Sequence, residues 1–132
     1  MTYHQEVQDL IKMATTFLVS TVDERGFPTT IVVAPPIHQI GIQRLEFYVS
    51  GSSETVENIL RNGLGSVCCY SLDKHESLLL KGTFGTKKFL PEDEPLLNDY
   101  QHFLQYEDAV LIRFETMICK SHNQGENVQF II

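Results

Sequence analysis

No five-residue stretch of this sequence is dominated by lysine or arginine, and 17 acidic residues against 10 basic ones leave a net charge of -7. A protein that grips a nucleic-acid backbone concentrates cations on one face, so a DNA- or RNA-binding role is not expected. Long apolar runs are missing too. None approaches the ~18 residues of a membrane-crossing helix. The first residues (Thr2, His4, Gln5, Glu6) are polar where a secretion signal has a basic patch and then an apolar core. The expectation is a cytoplasmic protein with no membrane partner.

Cysteine is scarce and unpatterned. Cys68 and Cys69 are neighbours, Cys119 is remote, and there is no CxxC. On a strand the two neighbours point to opposite faces, which fits buried, reduced thiols rather than a redox pair. The five histidines (His4, His38, His75, His102, His122) are scattered singly with no HExxH spacing, so no metal site is expected. No residue stands out as a nucleophile or general base with a partner at usable spacing. Whether the protein is an enzyme is therefore left open, and any catalysis would have to be carried by a cofactor.

What is present is the material of one folded unit. The 132 residues are 42% apolar with mixed charges, enough for a single domain over 1–132 and too few for two. Val7, Leu10, Ile11 and Ala14 recur at helical spacing, with Thr2 and Gln5 set out as a capping box. Thr16–Val22 and Thr29–Ala34 are β-branched runs joined at Asp23-Glu24-Arg25-Gly26, which reads as a hairpin ended by Pro35-Pro36. A loop over His38–Gln43 leads to a strand at Leu45–Val49. Residues 54–61 then place Val56, Ile59 and Leu60 on one face of a short helix, with Ser53 as N-cap and Asn62-Gly63 as its stop.

Strands follow at Ser66–Leu72 and Ser77–Phe84. A third helix opens at Pro91-Glu92-Asp93-Glu94-Pro95 and continues through Leu96, Leu97, Tyr100, Phe103 and Leu104. A long strand at Ala109–Ile118, a polar loop Lys120–Asn127 and a last strand Val128–Ile132 complete the chain. Six or seven strands with about three helices, in an order that is no regular βαβ repeat, give an α+β protein: an antiparallel, nearly closed sheet with helices at its ends. Val110–Phe114 and Leu78–Leu80 are apolar without alternation, so those strands are expected to be covered on both faces, the second by a partner copy in a homodimer.

The segment Phe47-Tyr48-Val49-Ser50-Gly51-Ser52-Ser53-Glu54-Thr55 is a hydroxyl-rich loop where a strand meets a helix N-terminus. Exposed amides and the helix dipole make such a place suited to an anion, although Ser52-Ser53 serves equally as a plain helix cap.

Three stretches together resemble the pyridoxamine 5′-phosphate oxidase-like, FMN-binding split-barrel family: Phe17-Leu18-Val19-Ser20-Thr21-Val22-Asp23-Glu24-Arg25-Gly26-Phe27-Pro28, Leu45–Ser53, and Asn58-Ile59-Leu60-Arg61-Asn62. The likeness covers roughly residues 5–90. It implies a homodimeric split β-barrel, a flavoprotein oxidoreductase acting on a small molecule, with FMN held at the subunit interface. The cofactor-binding residues it points to are Tyr48, Val49, Ser50, Ser52, Ser53 and Thr55, with Lys87 and Lys88 as sources of charge. Four places where the family carries basic phosphate ligands fall on Ile31, Pro36, Glu54 and Thr55, none of them basic. This departure implies weak FMN binding. It opens an alternative, a non-catalytic dimeric split barrel that binds another small anionic aromatic ligand. Haem, bound by some split barrels, finds no recognisable histidine in an apolar pocket here.

Overall fold

A computed structural model describes residues 3–132, with side chains from residue 5 on; the Thr2 half of the expected capping box lies outside them. Helix α1 (Tyr3–Met13) leads into eight strands: β1 Phe17–Val22, β2 Pro28–Val33, β3 His38–Ile40, β4 Arg44–Ser50, β5 Leu64–Ser71, β6 Glu76–Lys88, β7 Ala109–Asn123 and β8 Glu126–Ile131. Helix α2 (Glu54–Arg61) joins β4 to β5. All pairings are antiparallel, in the order β2-β1-β5-β6-β7-β4-β3, with β8 added to β7. The 15-residue β7 is the spine. It pairs β6 along nearly its whole length, β4 through its first half and β8 through its second.

The first hairpin closes as its sequence dictates. Asp23 Oδ1 accepts hydrogen bonds from the amides of Arg25 and Phe27, both at 2.9 Å, and this side-chain-held turn delivers Pro28 to the start of β2. Period-two burial along β1 then sends Phe17, Val19 and Thr21 inward. They meet Leu45, Phe47 and Val49 of β4 and Ile112 and Phe114 of β7 in one core, where the Phe17–Phe47 and Phe84–Phe114 rings lie 5.7 and 4.8 Å apart. Helix α1 seals one end with Val7, Leu10 and Ile11. Helix α2 packs against β1 through a buried bond from Asn58 Nδ2 to Thr21 Oγ1, 3.0 Å long.

Several expectations need correction. The loop His38–Gln43 contains β3, a strand of only three residues, which is shorter than any periodicity can reveal. The polar loop Lys120–Asn127 is a hairpin in which Gln124 (φ 49°) and Gly125 (φ 91°) make the turn. Among the described residues the strands therefore number eight, not six or seven. Leu60, expected on the buried face of α2, is 71% exposed.

The third helix is broken. A 3-10 turn spans Pro91–Leu96, Leu97 is extended, and helix α3 restarts at Asp99–Leu104. Asn98 causes the restart: its side chain accepts from the Gln101 amide while the Gln101 side chain accepts from the Asn98 amide. Leu97 is buried, whereas Tyr100 and Phe103 face outward. This strap between β6 and β7, not a partner copy, covers the outer side of Leu111 by way of Phe89, Leu97 and Tyr106.

Burial pushes the thiols up, Cys69 to about 12 and Cys119 to about 11, as expected of inert core cysteines. Gly82 sits opposite Thr116 at a bulge, where a Cβ would collide with the carbonyl oxygen of Glu115. Gly82→Ala should therefore cost about 1–3 kcal/mol. Gly85→Ala, on the same strand with open space around its Cβ position, should stay within about 0.5 kcal/mol of wild type. Urea midpoints of the two variants check the contrast.

Candidate functional site

The hydroxyl-rich loop forms because β4 ends at Ser50 and α2 begins at Glu54, leaving three residues to reverse the chain. Ser53 is the N-cap: its Oγ accepts from the Val56 amide and donates to the Ser50 carbonyl at 2.8 Å. The other two serines face a carboxylate of the chain itself. Ser50 Oγ donates to Asp108, straddling its two oxygens at 3.1 and 3.2 Å, and the Ser50 and Ser52 hydroxyls are bonded to one another at 3.1 Å. The Gly51 amide donates to the Asp108 carbonyl at 2.9 Å. The Ser52 hydroxyl, followed by that of Ser50, holds the Asp108 carboxyl below the usual carboxylate range.

The remaining expected residues are distributed by the sheet. Val49 points into the core, and Thr55 is buried on α2. Tyr48 lies on the outer face under the strap, its ring 5.0 Å from Phe89 and 5.4 Å from Tyr106. Burial and the neighbouring acids raise its hydroxyl pKa. Lys87 and Lys88 belong to the end of β6. Lys88 is exposed and pairs in register with Val110, which pairs with Val49. Arg61, at the far end of α2, donates to Asn58 Oδ1.

Lys87 is engaged elsewhere, in a constellation that sequence reading missed. Glu46, only 3% exposed, receives Arg113 Nε at 2.9 Å and Lys87 Nζ at 3.1 Å. His38 Nε2 lies 4.0 Å away and is bonded at 2.8 Å to Asp93 of the strap. Pairing of His38 with Glu46 and of Glu46 with Arg113 across β3, β4 and β7 sets these groups in one row on the outer face. Burial pushes Glu46 up, but bonds from Arg113 and Lys87 outweigh it and hold the carboxyl below its usual 4.5. The signal in the sequence was a charged residue, Glu46, between the apolar Leu45 and Phe47 of a strand. No group of three or more His, Cys, Asp and Glu side chains suited to a metal occurs among the described residues.

An apolar groove of about 540 Å³ lies at Leu64, Met117, Ile118 and Ile131, with Ser66 and Lys81 as polar members. It is on β5 to β8. Leu64, Met117 and Ile131 are 59%, 56% and 79% exposed, an unusual concentration of apolar side chains in water.

No family model matches the chain, and no curated protein sequence matches it. Solved structures do. A protein related to general stress protein 26, of the pyridoxinephosphate oxidase family, from Clostridium acetobutylicum has a TM-score of 0.83 at 19% identity, covering 98% of this chain and 94% of its own. A heme binding protein from Mycobacterium smegmatis reaches 0.79 at 12% identity, covering 99% of this chain and 58% of its own. A pyridoxamine 5′-phosphate oxidase-related, FMN binding protein from Nostoc punctiforme PCC 73102 reaches 0.69 at 12%, with 97% and 93% covered. The chain thus has the fold of the pyridoxamine 5′-phosphate oxidase-like split barrels, an α+β antiparallel barrel, as its sequence resemblance implied. No helix among the described residues is long and apolar enough to cross a membrane.

The donor set of this loop does not fit an FMN phosphate. The Ser50 hydroxyl already serves Asp108 and the Ser52 hydroxyl is bonded to that of Ser50, Glu54 and Glu57 occupy the first turn of α2, and Lys87 is bound to Glu46.

The Glu46 cluster makes stability depend on pH. A carboxyl whose folded pKa is depressed stabilises the protein above its unfolded value, 4.5, and loses that contribution as the pH falls through the folded pKa. Glu46→Gln should cost about 1–3 kcal/mol at neutral pH. Wild type should lose urea resistance below pH 4.5 more steeply than the variant. Parallel curves in acid would show that Glu46 is not the titrating group.

Proposed function

We propose that this chain is a homodimeric split barrel that binds a planar aromatic ring of the flavin kind in the groove at Leu64, Met117 and Ile131, between two copies. The observation that carries the reading is the groove: apolar walls in the volume range of small-molecule sites, with two polar side chains, Ser66 and Lys81, able to orient a ring that has hydrogen-bonding edges. Exposed Leu64, Met117 and Ile131 support a second copy over this face, since that much apolar surface is stabilised by burial. The eight residues of α2 span about 12 Å, so the groove beside Leu64 and the serine loop lie at opposite ends of one helix. A flavin, with its ring and its side-chain terminus set apart, has that form.

The likeness to FMN binding and pyridoxinephosphate oxidase proteins favours a second reading, an oxidoreductase acting on a small molecule. In that case the flavin supplies the redox chemistry and the chain positions it. The poor phosphate seat weighs toward the first reading, a binding protein without catalysis.

Light scattering should give twice the 15.1 kDa chain mass, and riboflavin fluorescence should be quenched saturably. Met117→Glu should yield monomers and lose the quenching, because a carboxylate in the groove must be desolvated on pairing. A monomeric wild type, or undiminished quenching by Met117→Glu, contradicts the proposal.

A further inference from the structure

We infer that the ring ligand of this barrel carries no phosphate at the Ser50–Thr55 loop, because the loop is already occupied by the carboxylate of Asp108. The inference rests on the ring-binding reading above and narrows its ligand class to neutral flavin-like heteroaromatics, of which riboflavin is the probe and FMN the phosphorylated counterpart.

Four observations converge. The first is register: Ser50, the last residue of β4, pairs with Ala109, the first of β7, so the residue before β7 must lie against the residue after β4. The second is fit. A Cβ on Gly51 would lie 2.5 Å from the Asp108 carbonyl oxygen and 3.3 Å from Val110 Cγ1, so the loop is cut to accept this backbone and nothing larger than hydrogen is tolerated at position 51.

The third is the use of the donors. Ser50 Oγ bridges both Asp108 oxygens, the Ser52 hydroxyl is bonded to that of Ser50, and Ser53 is spent on capping α2. Hydroxyls that would turn to a phosphate already serve an internal anion that stays charged through the neutral range. The fourth is the field. Glu54 and Glu57 add two carboxylates to the first turn of the same helix, and the potential that favours an anion at a helix N-terminus is already compensated. A dianion brought there meets like charge at close range, while a neutral hydroxyl chain carries no charge for these carboxylates to repel.

Equilibrium dialysis of riboflavin and FMN against the full chain tests this, with Asp108→Asn as the variant and Asp108→Ser as a second in case the first does not fold. Wild type should bind the two flavins within about threefold of each other. Removing the carboxylate should strengthen FMN binding by about tenfold or more and leave riboflavin within about threefold. A wild-type preference for FMN above about tenfold, or an FMN-to-riboflavin ratio unchanged in both variants, overturns the inference while leaving the flavin reading in place. Failure of every form to bind either flavin overturns the ring-binding reading itself, and the inference with it.

Discussion

The register between β4 and β7 is the constraint on which the rest of the molecule depends. Seven consecutive pairs, from Arg44↔Glu115 to Ser50↔Ala109, fix which side chains face inward and which face the strap. Phe47 and Ile112 share an inner row, Tyr48 and Leu111 the outer row beside it, and Glu46 and Arg113 the next outer one. A slip of one residue would send Glu46 into the core and Phe47 into the charged layer, so the ladder is pinned by burial on one side and by ion pairing on the other. The same ladder ends by pressing Asp108 onto the serine loop.

Above that ladder the strap makes a second, smaller layer that explains why every residue from Leu45 to Val49 is buried although successive side chains point to opposite faces. Tyr48 and Leu111 are roofed by Phe89, Leu97 and Tyr106, and Glu46 is roofed by charge, with Asp93 reaching down from the strap to His38. A carboxylate this deep survives because two cations satisfy it, and those cations keep partial contact with water, which limits their own desolvation. The consequence for function is that Lys87, at first sight a free cation near the ligand loop, is a structural counter-ion.

The main strands, the α2 cap and the split-barrel class were legible because they rest on local signals: Asp23–Gly26 turns the first hairpin, Ser53 caps α2, and alternation in Phe17–Val22 marks a half-buried strand. What could not be read depends on pairings distant in sequence. Asp108 is 58 residues from Ser50 and Arg113 is 67 from Glu46, so no local pattern announces either contact. The apolar stretch Val110-Leu111-Ile112, ended by Arg113, was taken to mean cover on both faces. The cover over Leu111 comes from the chain's own strap, whose helix is interrupted where Asn98 and Gln101 cap each other.

The loop which resembles a phosphate seat already holds an anion of its own. Titrating inorganic phosphate into isotope-labelled protein at neutral pH, and following the backbone amide shifts of Gly51 to Thr55, addresses it without any flavin. The account predicts small, linear, non-saturating shifts at these amides in wild type, and saturable ones once Asp108 is replaced by asparagine. Saturable shifts at the same amides in wild type would contradict it, since they would mean that the loop accepts phosphate with Asp108 in place.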